Sequence, residues 1–139
     1  MRRATAPFAA AALAVAATAA SPHAGAQAPA RSGEAVYQAT CSVCHAEGKD
    51  TAPKTGDRKA WAPRIREGQV ALTGTAAAGI RLMPARGGDP SLSLEEFARA
   101  TVHLANASGA QWKDPDPAML ERIAAVEKRR VEQLKKKQR

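Results

Sequence analysis

Cysteine, aromatic residues and strand-like patterns are all scarce in this chain. Only two cysteines occur among the 139 residues, and aromatic side chains make up 4% of them. A structural zinc site needs four ligands; with no third cysteine, His103 would be the only distant partner. No stretch shows the alternation of polar and apolar residues that is typical of a strand, and no repeat is present. The composition and length therefore predict one small all-α domain.

Large aliphatic side chains are also few, and alanine carries much of the 45% hydrophobic content. A short chain of this kind buries little apolar surface with its own side chains. A large apolar cofactor at the centre of the domain would remedy that shortage.

The first 26 residues have the pattern of a secretory signal peptide. Arg2 and Arg3 precede an apolar run from Phe8 to Ala20, and the small residues Ala24-Gly25-Ala26 follow. We expect cleavage near Ala26–Gln27 and export of the mature chain. An uncleaved anchor or a disordered leader is the alternative, although the run is shorter than the roughly 20 residues that span a bilayer. Residues 27–31 are interpreted as a linker.

Helices are predicted along the rest of the chain. Helix signals cover residues 32–44, 57–67, 69–78 and 93–107, and an irregular loop is expected at 80–92. The clearest start is Ser93, which with Glu96 forms a capping box. These segments define a core domain at residues 32–112.

Residues 113–139 form a basic C-terminal extension with nine Lys/Arg against five Asp/Glu, and seven of those basic residues lie in 128–139. The extension is predicted to be helical or disordered. It could bind an acidic partner or an anionic membrane surface. The simpler alternative is a solvated helix without such a role.

The two cysteines lie in the sequence Cys41-Ser42-Val43-Cys44-His45. This CxxCH spacing is the attachment pattern of a c-type haem. On a helix the two thiols share one face, where each can bond a haem vinyl group, and His45 can reach the iron. A thioredoxin-like disulfide is less favoured because no strand precedes the pair.

The second axial position decides between electron transfer and small-molecule chemistry. Met83, in a loop beside Pro84, is the best placed ligand, with a gap-filling core residue as its alternative role. Met119 is expected to be a packing or surface residue, and His103 a core or edge histidine.

The ordered blocks GEAVYQATCSVCHAEG, APKTGD, WAPRIREG, MPARGG and LSLEEFARATVHLAN resemble class I c-type cytochromes, specifically the small bacterial c-five type (class IE). The resemblance covers about residues 32–107. It implies a class I cytochrome c fold, with about four core helices around one haem c attached through Cys41 and Cys44.

The resemblance also implies individual roles. His45 matches the proximal ligand and Met83 the distal ligand, which makes these two the expected iron ligands. Pro53 matches the residue whose carbonyl accepts the imidazole N–H. Trp61 and Arg64 match positions that line the haem edge, where they can meet the propionates. Gly33 and Tyr37 match positions on the first helix that face the last core helix. A plain core aromatic is the alternative for Trp61.

This chain departs from the family at two places. Asp89-Pro90 stand where an additional cysteine pair is frequent, and His103 stands where an aromatic is usual. Without that disulfide, the domain is expected to depend more on haem attachment for its stability.

The resemblance implies a periplasmic one-electron carrier, monomeric and not an enzyme. It would dock transiently on redox proteins of the periplasm or inner membrane, without nucleic acid. The alternatives are a haem enzyme or a gas- or peroxide-reactive protein with a labile sixth ligand, and an electron-accepting module of a periplasmic dehydrogenase complex. The basic residues considered for steering acidic partners are Lys49, Lys54, Lys59, Arg81 and Arg86.

Overall fold

The computed structural model describes residues 29–139. This part of the chain contains α-helices, a π-helical segment and two 3-10 turns, with an isolated bridge between Ile80 and Met83 as its only β-type pairing. The all-α prediction is therefore confirmed. The helices are α1 (Gly33–Val36), α2 (Ser42–His45), α3 (Arg58–Arg66), α4 (Gln69–Ala77), α5 (Leu94–Ala107) and α6 (Pro117–Lys137).

The predicted signal peptide lies outside the described residues. Among the helices at 29–139, none combines the length and apolar character needed to cross a membrane.

The first helical stretch runs without a break from Gly33 to His45. Ser32 caps its start, because its side chain accepts a hydrogen bond from the Ala35 amide. Between α1 and α2 the chain widens into a π-helical segment, Tyr37–Cys41, which the sequence pattern did not indicate. Such segments are rare and occur frequently at functional sites. Here the segment ends at Cys41, the first cysteine of the CxxCH motif.

Helix α1 crosses α5 at very short range. A Cβ atom on Gly33 would collide with the backbone carbonyl of Arg99, so only glycine allows this approach. Beside the crossing, Val36 and Phe97 are buried in one hydrophobic cluster with Ala77, Leu92 and Ala100. Gly33 therefore faces α5 as expected, and Tyr37 does so too, because it is buried in a cluster with Leu104 of α5.

The start of α5 is fixed by the predicted capping box. Ser93 Oγ accepts from the Glu96 amide, and the Glu96 carboxylate accepts from the Ser93 amide. Glu96 also accepts from the Arg31 side chain at 2.8 Å. These hydrogen bonds, led by the one from Arg31, lower the pKa of the Glu96 carboxyl to about 2. Arg31, within the predicted linker, thus ties the chain ahead of α1 to the start of α5.

Helix α6 places the basic extension against the domain. Asp116 caps its start through a 2.7 Å hydrogen bond from the Met119 amide, and Pro117 occupies the first turn. Ile123 is fully buried, and a Cβ on Gly74 would overlap the Val126 side chain, so α6 lies directly on α4. The extension is therefore helical, and its first half is part of the hydrophobic structure. Its partly buried stripe comprises Met119, Leu120, Val126, Val131 and Leu134.

Candidate functional site

A cleft of about 780 Å³ opens between the first helical stretch, α3, α4, α5 and the loop after α4. Its volume falls within the range of small-molecule and cofactor sites. All seven residues predicted for the site line it: Cys41, Cys44, His45, Pro53, Trp61, Arg64 and Met83. The structure thus brings together residues that are up to 42 positions apart in the sequence, from Cys41 to Met83.

His45 is buried at the end of α2, and its ring is oriented by a backbone carbonyl. The Nδ1 atom lies 2.9 Å from the Pro53 carbonyl oxygen. A carbonyl can only accept a hydrogen bond, so Nδ1 is the donor, and in the neutral imidazole the lone pair then lies on Nε2. This tautomer leaves Nε2 able to bind a metal, with the carbonyl fixing the ring plane.

The backbone of His45 is held as firmly as its ring. Its carbonyl accepts from the Thr55 amide at 2.7 Å and from the Thr55 hydroxyl at 3.0 Å. The same hydroxyl lies 2.9 Å from the Tyr37 hydroxyl, which links this loop to the π-helical segment. Nothing in the sequence pattern indicated Thr55, because its contacts depend on how the 46–57 loop folds back.

His103 contacts Tyr37 rather than the cleft. Their ring centroids are 5.1 Å apart, and His103 does not line the site. This position agrees with the packing role expected for it.

Trp61 is both a core residue and a wall of the cleft. Its side chain is 5% exposed, and its indole N–H donates to the Lys54 carbonyl at 2.9 Å. Its ring lies 5.9 Å from that of His45, centroid to centroid. Arg64, one turn further along α3, lines the cleft while one of its guanidinium nitrogens donates to the Ala60 carbonyl. Its remaining donors suit a carboxylate.

The two cysteines are free thiols and are not joined by a disulfide. Burial raises the pKa of the Cys41 thiol to about 11, so this group is a neutral thiol before any attachment. Within residues 29–139 no group of three or more His, Cys, Asp and Glu side chains is placed to hold a metal ion. The zinc alternative therefore has no support in this part of the chain.

Met83 enters the cleft from a tight turn. Ile80 and Met83 exchange two backbone hydrogen bonds, of 3.0 and 2.9 Å, and Arg81 between them has φ 54°. Positive φ is costly for a residue with a Cβ, typically by about 1–3 kcal/mol, and such strain clusters at ligand-binding sites. Met83 itself is partly buried and packs against the Val36 and Phe97 cluster.

Arg86 forms an ion pair within the protein. It was among the basic residues proposed to steer an acidic partner, but its guanidinium is bound by Glu127 of α6 at 2.7 and 2.9 Å. Its side chain is only 21% exposed. The sequence does not reveal this partner, which lies 41 positions away.

Further residues of the cleft were not identified from the sequence. They come from α4 and α5, where a helical stripe predicts burial but does not tell a core contact from a cofactor contact. These residues are Leu72, Thr75, Ala76, Phe97, Ala100, Thr101 and Leu104.

The residues present fit a haem c. The cleft is lined mainly by apolar side chains, which suits a porphyrin, and Arg64 offers donors at its edge. Two thiols with helical spacing are available for thioether bonds, and His45 and Met83 provide nitrogen and sulfur donors of the kind that bind haem iron.

Comparison with known proteins agrees with this chemistry. Residues 28–104 match the family described as cytochrome c oxidase, cbb3-type, subunit III. The chain is 36% identical over 83 residues to cytochrome c-555 of Chlorobaculum thiosulfatiphilum, covering 57% of this chain and 96% of that protein. It is also 36% identical over 73 residues to cytochrome c5 of Azotobacter vinelandii, covering 51% of this chain and 88% of the relative.

A solved structure shares the fold. A chain in the crystal structure of an electron transfer complex of nitrite reductase with cytochrome c superposes with a TM-score of 0.53 and 39% sequence identity. The match covers 55% of this chain and 93% of that one. The chain therefore belongs to the class I c-type cytochromes, and it carries one covalent haem c.

Proposed function

We propose that this electron carrier works in the periplasm with its iron held by His45 and Met83, and that it passes single electrons between redox proteins. The observation that carries the proposal is that both side chains reach one apolar cleft that also contains Cys41 and Cys44. When bound, the haem supplies the one-electron chemistry of its iron. The protein's contribution is to hold two strong ligands in fixed positions.

Rigidity on the His45 side supports this role. The ring is oriented by Pro53, and the backbone is held by Thr55. A ligand that cannot rotate or shift keeps its geometry when the metal changes charge. A methionine ligand and burial raise the reduction potential, which suits a carrier better than an open site that reacts with small molecules.

The rim of the cleft suits a transient docking surface. Ile80 and Leu82 at the cleft are 37% and 72% exposed, and Val43 in α2 is 67% exposed. Exposed apolar patches with a polar rim mark interaction sites. Lys49 at the cleft and the exposed Arg81 add positive charge, so we propose a redox partner with an acidic rim around an apolar centre.

Substituting the proposed ligand tests the proposal directly. In the haem-loaded protein, Met83→Ala should convert a low-spin spectrum into one with high-spin character, lower the potential, and allow carbon monoxide to bind the ferrous form rapidly. Met119→Ala, on α6, is the matched control and should behave as wild type. Rapid, complete carbon monoxide binding by the wild type at neutral pH would refute the two-ligand carrier and favour a labile sixth position.

Residues 113–139 are proposed to contribute a second, electrostatic contact to an acidic partner or anionic membrane surface. Lys135, Lys136 and Lys137 are exposed at the end of α6. Deleting the whole extension would also remove the buried Ile123, so charge neutralisation is the cleaner test. Changing the three lysines to glutamine should slow electron transfer at low salt and reduce its salt dependence. An unchanged rate and salt slope would contradict the proposed contact.

We also propose that the protein is exported and that its leader is cleaved. The leader at residues 1–26, a linker and a cytochrome domain at 32–112 together describe a precursor whose mature form begins near Gln27. Determining the N-terminus of the haem-loaded protein purified from a periplasmic extract tests it. Recovery of an intact residue 1 would contradict cleavage.

A further inference from the structure

The loop that follows Met83 is fastened to the C-terminal extension by one ion pair. Three residues after Met83, the Arg86 guanidinium donates to both carboxylate oxygens of Glu127 at 2.7 and 2.9 Å, and its Nε donates to the first of them at 3.0 Å. Its remaining nitrogen donates to the Leu92 carbonyl at 3.1 Å. One side chain thus connects the Met83 loop, the segment before α5, and α6.

The pair is shielded and its geometry is specific. The side chains of Arg86 and Glu127 are 21% and 19% exposed, well below the 63% and 56% of Lys135 and Glu132, which form an ion pair on the same helix. Nε donates to one carboxylate oxygen at 3.0 Å and Nη2 to the other at 2.9 Å. Two parallel bonds of this kind make a pair stronger than a single contact between point charges.

The backbone around Arg86 is irregular, and contacts with other segments restrain it. Arg86 has φ 52°, and Gly87 and Gly88 follow with φ 66° and 89°. Three successive left-handed residues make no regular helix or strand. No disulfide closes this loop, since the only two cysteines lie in the haem motif. The side-chain contacts of Arg86 therefore connect the segment between Met83 and Leu92 to α6.

Glu127 lies on a helix that is itself anchored. One turn before it, Ile123 is fully buried, and Val126 lies against Gly74 of α4. Helix α4 leads directly into Gly79 and the Ile80–Met83 turn. Helix α6 thus supports the Met83 loop at its entry, through α4, and at its exit, through Arg86.

We propose that Glu127 and Arg86 are positioning residues for Met83, so that the C-terminal extension keeps the distal ligand in place. The inference rests on the proposed function, in which Met83 binds the iron. Helix α6 thereby determines how readily an external ligand displaces the methionine, and the extension acts as part of the redox site without lining it.

Displacement of the methionine by imidazole in the ferric, haem-loaded, full-length protein tests the proposal. Glu127→Gln keeps the size of the side chain and removes its charge. It should raise imidazole affinity about tenfold, by the loss of a charge-assisted hydrogen bond that restrains the loop. Glu132→Gln is the matched control, because Glu132 is an exposed residue of the same helix paired only with Lys135 at 3.4 Å. It should bind imidazole as the wild type does.

Two further measurements make the outcome decisive. The helical circular dichroism at the assay temperature should be the same for all variants, and the absorption band of the methionine–iron bond should weaken in Glu127→Gln but not in Glu132→Gln. Arg86→Lys keeps the charge but loses the two parallel bonds, and it should also raise the affinity. It replaces Glu127→Gln if that variant does not accumulate with haem.

Each alternative result has one meaning. If Glu127→Gln and Arg86→Lys both bind imidazole like the wild type while Met83→Ala binds it far more tightly, the positioning role is refuted and the assignment of Met83 as a ligand stands. The positioning role is also refuted if Glu132→Gln raises imidazole affinity as much as Glu127→Gln does. It is refuted as well if the rise in affinity is accompanied by a proportional loss of helical circular dichroism. If Met83→Ala binds imidazole like the wild type, Met83 is not the ligand and the proposed function itself fails.

Discussion

Replacing Ile123 with alanine should destabilise the whole domain, although the residue lies outside the part of the chain that resembles known cytochromes. Ile123 is fully buried between α6 and α4. The substitution removes three carbon atoms, and each is worth about 0.8 kcal/mol of transfer free energy. A cavity term adds to this, so the expected cost in unfolding free energy is about 2–5 kcal/mol. For a domain of this size the melting temperature should fall by roughly 10 °C or more.

Urea and thermal unfolding of the haem-loaded protein, followed by circular dichroism, measure this loss. Arg122→Ala is the control, because it truncates an exposed neighbour on the same helix and should change stability by less than about 0.5 kcal/mol. If Ile123→Ala costs no more than Arg122→Ala, then α6 does not form part of the cooperative core. The packing of α6 on α4, and any role of the helix in the site, would then be wrong.

Three further substitutions test other contacts. Gly33→Ala should lower the unfolding free energy by about 1–3 kcal/mol, because its Cβ meets the Arg99 carbonyl; a neutral result in urea would contradict the close crossing. Since hydrogen bonds lower the pKa of Glu96 from 4.5 to about 2, their stabilisation is present above pH 4.5 and lost as the pH falls towards 2. Melting temperatures of Glu96→Gln should therefore vary less across that window than those of the wild type. Thr55→Val removes the hydroxyl bonded to the His45 carbonyl and should cost about 1 kcal/mol in urea unfolding, with an unchanged value refuting the contact.

Local signals explain why much of the fold was predictable. The capping box at Ser93 and Glu96 is complete within four residues, and the structure contains both of its hydrogen bonds. The breaks at Gly68 and Gly79 correspond to positive φ at both positions and to the ends of α3 and α4. Such signals need no knowledge of the tertiary structure, so sequence reasoning can find them.

Contacts between distant segments explain what was missed. The bonds between Tyr37 and Thr55, and between Arg86 and Glu127, join residues 18 and 41 positions apart. A lone arginine in a loop has the same appearance whether it is solvated or paired. In the extension only Ile123 is fully buried, while its neighbours on the same stripe are partly exposed. The family resemblance could not help there, since the extension had no counterpart in it.

The two sides of the cleft differ in how they are held, and this difference has a physical consequence. On the His45 side, the restraints on the ring and backbone come from residues within ten positions, and the cysteines add covalent attachment on the same helical stretch. On the Met83 side, the tight turn is local, but the following loop depends on α6, which is far away in the chain. On the proposed role of α6, we expect an opening that detaches this helix to release the Met83 loop and to leave the His45 side intact. Local opening of this kind requires less free energy than global unfolding. The methionine side is therefore the one that the C-terminal extension can influence.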